Sequence, residues 1–124
     1  ICLGMQLLLK YSEEGKCAGL GLIDLNVKKF NLGDLKVPHM GWNSVLVNND
    51  SRLFDGINDD ELFYFVHSYF VQNNEKEEEI NFGITNYGHS FVSTLSINNI
   101  HGVQFHPEKS HDQGLKLLDN FIKF

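Results

Sequence analysis

A cysteine near the start of the chain has the surroundings of a nucleophile. Cys2 stands between Ile1 and Leu3, and Gly4 follows two residues later. A nucleophile on a sharp strand-to-helix turn has this form in sequence. We expect the helix N-terminus to lower the pKa of Cys2, the Leu3 amide to face a developing oxyanion, and Gly4 to let the helix pass close to the strand. The alternative is a buried structural cysteine.

A histidine and a glutamate near the end of the chain have the spacing of a general base and its orienting carboxylate. Pro107 keeps His106 out of the helical region, so the segment stays extended. Residues two apart in an extended chain face the same side, so His106 and Glu108 can lie side by side. A carboxylate bound to one ring nitrogen leaves the other free to take a thiol proton. Taken alone, the pair is more typical of a surface strand end with two solvated polar residues.

Together the two segments supply a nucleophile, a base and an orienter. This combination predicts a Cys2-His106-Glu108 triad for acyl transfer, with the cysteine attacking an amide carbonyl.

Four strings carry a family resemblance. Ile-Cys-Leu-Gly-Met-Gln at 1–6 and Gly-Val-Gln-Phe-His-Pro-Glu at 102–108 resemble the hallmark motifs of class I, triad-type glutamine amidotransferases. Lys-Val-Pro-His-Met-Gly-Trp-Asn at 36–43 and Tyr-Phe-Val-His-Ser-Tyr at 64–69 resemble, more narrowly, the glutaminase subunits of imidazole glycerol phosphate synthases. The resemblance extends over residues 1–124.

The resemblance implies a glutaminase reaction that needs no cofactor. Cys2 would form a glutamyl thioester, His106 would act as base and then acid, and Glu108 would orient it. The residues implied in binding glutamine are Leu3, Gln6, His67, Ser68 and Tyr69.

The resemblance also implies a heterodimer with a TIM-barrel cyclase subunit. That partner would use the ammonia to make imidazole glycerol phosphate in histidine biosynthesis. Trp42, Asn43 and Tyr64 would face it, and Lys109 would form an ion pair with it.

Two other functions stay open on the sequence. A paralogous amidotransferase would supply ammonia for a sugar in surface-glycan synthesis. As an isolated fragment, the chain would be a non-catalytic module that keeps only the partner-binding surface.

The elements that position these residues follow from hydrophobic periodicity and turn signals. Cys2–Tyr11 is predicted to be a helix, residues 37–43 an irregular loop, and 72–79 an acidic solvated loop. A second, amphipathic helix ends the chain, with an apolar stripe of Leu115, Leu118, Phe121 and Ile122. Strands are predicted at Asn26–Phe30, Ser44–Val47, Leu62–Phe70, Ile80–Thr85, Phe91–Ile97 and Ile100–Phe105.

Length and these elements predict one α/β domain over residues 1–124. The resemblance specifies a three-layer, flavodoxin-like fold with a mixed central sheet. It also implies a glycine and a strand before Ile1, so we expect these residues to be the carboxy-terminal portion of a glutamine amidotransferase type 1 domain that lacks its first strands.

Composition limits the classes of ligand and the cellular compartment that we expect for this protein. The formal charge is −6, which makes nucleic acid a poor ligand, and no apolar run is long enough to span a bilayer. Two cysteines are too few for a disulfide framework, which indicates a reducing, cytoplasmic location. The remaining histidines lack metal-ligand spacing, so we expect no metal.

Overall fold

A computed structural model describes residues 1–47, 51–73 and 80–124 of the chain. Within these ranges the chain forms two α-helices, ten strands and two short 3-10 turns. The helices are α1 (Leu3–Leu7) and α2 (His111–Ile122), and the turns are Arg52–Phe54 and Pro107–Lys109. The strands are β1 (Leu9–Ser12), β2 (Cys17–Ala18), β3 (Ile23–Lys29), β4 (His39–Ser44), β5 (Leu46–Val47), β6 (Leu62–His67), β7 (Tyr69–Val71), β8 (Asn81–Tyr87), β9 (His89–Ile97) and β10 (Ile100–Val103).

The main sheet is mixed. Its order is β2-β1-β3-β7-β9-β8-β5, with β10 paired to β9. β1 and β3 run parallel, and the other pairs are antiparallel. β4 and β6 form a separate antiparallel ribbon, in which Trp42 lies opposite Tyr64 and His39 opposite His67. The prediction of a mixed α/β fold with a mixed sheet is confirmed.

Two apolar clusters make up the core. One is aromatic and is built around the fully buried rings of Phe65, Phe91 and Phe105. The other is aliphatic and includes Met5 of α1 together with Val92 of β9. Successive residues Phe91 and Val92 belong to different clusters because side chains alternate between the faces of a strand. β9 therefore has apolar residues packed on both of its faces.

The predicted first helix is too long. Only Leu3–Leu7 is helical, and after Leu8 the chain turns into β1, where Leu9 is fully buried and pairs with Ile23. A continuous run of leucines fits a buried strand as well as a helix, so periodicity alone does not separate the two.

The prediction of an irregular loop at residues 37–43 is also wrong, because the chain forms a strand from residue 39 onward. His39–Ser44 is a regular strand, paired along its whole length with β6. Pro38 precedes its first residue, a position that costs no ladder hydrogen bond. The pairing of β4 with β6 outweighs the weak strand propensity of its glycine.

The two predicted paired strands are present as β8 and β9. The predicted strand Leu62–Phe70 is present as two strands, Leu62–His67 and Tyr69–Val71. The predicted strand Ile100–Phe105 is present over Ile100–Val103. Residues 74–79, most of the predicted acidic loop, lie outside the described residues.

The carboxy-terminal helix is present, but it does not pack through its apolar stripe. Its buried residues are Gly114, Leu117 and Asn120, whereas Leu115 and Ile122 are exposed. A Cβ at Gly114 would stand 2.0 Å from the carbonyl oxygen of Pro107, so only glycine lets α2 lie this close to the turn that follows His106.

Neither helix of the described chain is long and apolar enough to cross a membrane.

Candidate active site

Cys2 occupies a strained position directly before α1. Its backbone has φ 48° and ψ −112°, a left-handed φ that non-glycine residues rarely adopt. The strain is held by two backbone hydrogen bonds: the Cys2 N–H donates to the Val103 carbonyl at 2.7 Å, and the Cys2 carbonyl accepts from the Gln6 N–H at 3.3 Å. Stored strain of this kind recurs at functional positions and is the backbone form of a nucleophile elbow.

A glycine of β10 permits the close packing of α1 on the described sheet. Nothing among the described residues lies within 4 Å of a Cβ built on Gly4. A Cβ on Gly102 would instead lie 2.8 Å from Cγ of Met5. Gly102 belongs to β10, so α1 approaches the sheet through this strand, one residue before its anchor at Val103.

One edge of β6 brings the two ends of the chain together. The His106 N–H donates to the Tyr64 carbonyl at 2.9 Å, and Cys2 Sγ lies 3.9 Å from the Val66 carbonyl oxygen. Alternate residues of a strand direct their backbone groups to the same edge, and two residues span about 7 Å. The two segments predicted to carry the nucleophile and the base are therefore adjacent in space.

A buried serine fixes the histidine segment to this edge. Ser110 Oγ accepts a hydrogen bond from the Tyr64 N–H at 3.0 Å and donates to the His106 carbonyl at 2.6 Å. Ser110 is fully buried. Ser110 stands at the N-cap of α2, but its hydroxyl bonds to His106 instead of the helix.

His106 and Glu108 are in direct contact, although Pro107–Lys109 is a 3-10 turn and not the extended segment that the sequence predicted. His106 Nδ1 lies 2.7 Å from Glu108 Oε1, so Nδ1–H donates to the carboxylate and Nε2 remains available as a base. Partial burial raises the pKa of Glu108, but the hydrogen bond from His106, a backbone hydrogen bond and the charges of His106 and Lys109 together outweigh it and hold the pKa below its usual value. Glu108 is thus ionised at neutral pH and fixes the tautomer of the ring.

The thiol of Cys2 does not have the lowered pKa that the helix start predicted. Burial raises its pKa, and hydrogen bonds from the Leu3 N–H and the Gln104 side chain offset only part of that rise. α1 has five residues, which makes its dipole short, so desolvation dominates. The thiol therefore depends on its specific neighbours for activation.

An open cavity of about 320 Å³ lies beside Cys2. Its volume is at the small end of the range of small-molecule sites. All the residues predicted to bind the substrate line it: Leu3, Gln6, His67, Ser68 and Tyr69. Glu14, Pro38 and Val66 complete the lining and were missed by the sequence reasoning. Glu14 lies in a polar turn that carries no motif, so only the fold brings its carboxylate here.

Two buried amides connect the cavity to the thiol. Gln6 Nε2 donates to the Tyr69 carbonyl at 3.1 Å and to Gln104 Oε1 at 2.8 Å. Gln104 Nε2 in turn lies 3.4 Å from Cys2 Sγ. Oε1 of Gln6 is buried and has no hydrogen-bond partner among the described residues.

The four residues predicted to face a partner do not all lie on the same face of the β4–β6 ribbon. Trp42 is 43% exposed, packs edge-on against Tyr64 at 5.8 Å, and stacks on His111 at 4.7 Å. Lys109 lies over the Tyr64 ring at 6.0 Å, which extends the same surface. Asn43 lies on the other face of β4, where its amide donates to the Asn86 carbonyl at 2.9 Å.

No metal site accompanies these residues in the described part of the chain, where no three His, Cys, Asp or Glu side chains converge as ligands.

The comparisons with known proteins agree with this geometry. The chain is 49% identical to imidazole glycerol phosphate synthase subunit HisH 2 of Methanococcus maripaludis over 124 residues, 99% of this chain and 60% of that protein. It is 48% identical to subunit HisH of Sulfurimonas denitrificans, covering 100% of this chain and 61% of that protein. The chain thus spans about 60% of the length of the curated relatives it matches.

A solved structure shows the same fold at lower identity. It is that of a protein from Thermoplasma acidophilum described as a GMP synthase subunit, with a TM-score of 0.62, 22% identity, and coverage of 80% of this chain and 47% of that one. The family model described as glutamine amidotransferase class-I matches residues 1–124. The predicted resemblance and fold class are confirmed: the chain belongs to the class I glutamine amidotransferase family.

Proposed function

We propose that the protein is the glutaminase subunit of an imidazole glycerol phosphate synthase. It hydrolyses glutamine to glutamate and ammonia through a thioester on Cys2, and the ammonia passes to a cyclase subunit in histidine biosynthesis. The observation that carries the proposal is the shared edge of β6, which holds Cys2 Sγ near the Val66 carbonyl and the His106 N–H on the Tyr64 carbonyl. The curated relatives named as synthase subunits favour this function over a glycan-pathway amidotransferase.

The contact between His106 and Glu108, together with the placement of Cys2 and His106 along the same edge of β6, supports the following reaction. His106 Nε2 takes the thiol proton, and Cys2 Sγ attacks the carboxamide carbon of glutamine. The C–N bond then breaks, the nitrogen takes the proton from His106, and ammonia leaves a glutamyl thioester. Water, deprotonated by His106, attacks the thioester and releases glutamate and the thiol. Glu108 stabilises the imidazolium in both halves, and the Leu3 N–H binds the oxyanion.

The cavity lining supports recognition of the amino-acid end of glutamine. The Glu14 carboxylate in the lining is a counter-charge for the α-ammonium group. His67 is neutral at pH 7 because burial lowers its pKa to about 4, so it adds no positive charge to the cavity.

The exposed aromatic surface supports a protein partner next to the triad. Trp42, Tyr64 and Lys109 lie on one side of the β4–β6 ribbon, and Lys109 directly follows Glu108. Aromatic side chains backed by a cation are typical anchors of protein interfaces. The partner in this proposal is a TIM-barrel cyclase, and the complex a cytoplasmic heterodimer.

Replacing the nucleophile tests the reaction. The full-length protein is coexpressed with its cyclase partner, and product formation is measured with glutamine and with ammonium salts. Cys2→Ala should abolish the glutamine-dependent reaction and leave the ammonium-dependent one. Cys17→Ala is the matched control because Cys17 is an exposed cysteine in β2. Full glutamine-dependent activity of Cys2→Ala would refute the assignment of the nucleophile.

Two further experiments separate the alternatives. Complementation of a histidine auxotroph by the well-expressed full-length protein supports the histidine pathway, and failure supports the glycan pathway. Stoichiometric labelling of Cys2 by a glutamine-analogue electrophile excludes a purely non-catalytic binding module.

A further inference from the structure

Gln104 is a buried amide in contact with the Cys2 sulfur. It is completely inaccessible to solvent, an unusual state for a glutamine side chain. We infer that Gln104 is a positioning residue for the Cys2 thiolate: it holds the sulfur through an Nε2–H···S hydrogen bond and makes its ionisation easier. The inference deepens the proposed glutaminase function and rests on it for its catalytic consequence.

The orientation of the Gln104 amide is determined by a chain of hydrogen bonds. The Tyr69 carbonyl can only accept, so the group of Gln6 that faces it at 3.1 Å is the amide nitrogen. The second hydrogen of that nitrogen is donated to Gln104 at 2.8 Å, which must present its oxygen. The remaining end of Gln104, its NH₂ group, therefore faces Cys2 Sγ at 3.4 Å.

The Tyr69 carbonyl is itself held in place from the other side. His67 Nδ1 donates to it at 2.7 Å. The backbone of Gln104 is also fixed, because its N–H donates to the Ser93 carbonyl at 2.8 Å in the buried centre of β9. Neither end of the amide is free to rotate toward another partner.

A fixed donor matters because the thiol is half-buried. Desolvation disfavours the thiolate, and an N–H aimed at the sulfur stabilises the charged form over the neutral one. A sulfur that accepts this hydrogen bond also directs its S–H toward another acceptor, such as the Val66 carbonyl at 3.9 Å. Gln104 thus orients both protonation states of the nucleophile without touching the substrate.

The position of Gln104 in the chain agrees with this role. It precedes His106 by two residues, in the short bend that follows β10. The residue that holds the nucleophile and the residue that deprotonates it are therefore presented by the same short segment.

The test is the pKa of Cys2, measured in the full-length protein from the pH dependence of iodoacetamide alkylation. Cys17 is replaced by serine in the background, and Cys2→Ser supplies the blank for other thiols. Gln104→Met keeps the side-chain length but removes the donor. It should raise the pKa of Cys2 by about one unit, which lowers the thiolate fraction at neutral pH by about tenfold.

A carboxylate variant separates electrostatics from packing. Gln104→Glu has the same shape but places an acceptor at the sulfur, so the Cys2 pKa should rise further than in Gln104→Met. Gln72→Met is the matched control, since Gln72 is exposed and lies beyond the end of β7. An unchanged Cys2 pKa in folded Gln104→Met would overturn the inference.

A second measurement needs no substitution. In the ¹⁵N-labelled protein, the side-chain amide signals of Gln104 should shift with a midpoint equal to the alkylation pKa of Cys2, and a flat titration would also overturn the inference. Neither readout requires turnover. If Gln104 controls the thiol pKa in a protein that does not hydrolyse glutamine, the proposed function fails and this inference stands. If instead the protein hydrolyses glutamine but substitution of Gln104 leaves the Cys2 pKa unchanged, the inference is refuted and the proposed function stands.

Discussion

Nδ1 of His39 lies 2.9 Å from Nε2 of His67, and both side chains are buried between the β4–β6 ribbon and the aromatic core. His67 Nδ1–H donates to the Tyr69 carbonyl, which leaves its Nε2 as the acceptor and makes His39 the donor. Asn43 Nδ2 lies 3.3 Å from the other nitrogen of His39. The two histidines thus form a neutral bridge between the ribbon and the carbonyl that also holds Gln6.

This histidine pair predicts a loss of stability in mild acid. Burial lowers the folded-state pKa of His39 and His67 to about 4, against 6.5 for an ordinary histidine. Because the unfolded chain binds more protons between these values, their contribution is fully present above pH 6.5 and is lost as the pH falls toward 4. At about 1.4 kcal/mol per pKa unit, the loss amounts to a few kcal/mol, measured as the free energy of unfolding in urea.

The matched comparison uses two variants, each with one histidine replaced. His67→Gln should flatten the pH dependence between 6.5 and 4, whereas His111→Asn should not, because His111 is exposed. An equal slope in wild type and His67→Gln would contradict the assignment.

Glu108 should affect turnover more than substrate binding. Glu108→Gln replaces the acceptor at His106 Nδ1 and permits the wrong tautomer, so kcat of the glutaminase should fall by about 100-fold or more with little change in KM. Steady-state glutaminase kinetics in the presence of the cyclase partner measure this. Asp112→Asn is the control because Asp112 is an exposed carboxylate in the first turn of α2. A KM effect without a kcat effect would argue against an orienting role.

Gly114 should be intolerant of a methyl group although it lies in a helix. Alanine is intrinsically the better helix former, but its Cβ would stand 2.0 Å from the Pro107 carbonyl oxygen. We expect Gly114→Ala to destabilise the protein by about 1–3 kcal/mol in denaturant unfolding. Gly4→Ala, whose Cβ meets nothing within 4 Å in the described residues, should be neutral or stabilising. Equal effects of the two substitutions would disprove this packing argument.

Trp42 should contribute to partner affinity without altering the thiol. Trp42→Ala removes an exposed ring that packs on Tyr64 and His111, and a central interface tryptophan is worth about 2 kcal/mol or more. The Kd for the cyclase, measured by calorimetry, should therefore rise by at least about tenfold, and the Cys2 pKa should stay constant. Leu20→Ala, at a residue 68% exposed, should leave the Kd unchanged. If both variants bind the cyclase equally, Trp42 is not an anchor.

Local rules were sufficient where the interacting residues are close in sequence. Pro107 keeps His106 out of the helical region as predicted, and Glu108 does contact His106 at 2.7 Å, but the contact is made across the 3-10 turn Pro107–Lys109 and not along an extended segment. Alternation predicted the pairing of β8 with β9 for the same reason, since a short turn determines their register.

Only the tertiary structure determines which residues far apart in the sequence come into contact, and whether a segment that could form either a helix or a strand becomes one or the other. The run after Leu7 became β1 because pairing with β3 and burial of Leu9 outweigh helix propensity. The pKa of Cys2 is raised because desolvation depends on every atom around the sulfur, and its amide donor lies 102 residues away along the chain. The sequence alone predicted the triad, because residue types and short spacings carry that prediction. The environment that sets the strength of that chemistry is built from long-range contacts, which no short spacing records.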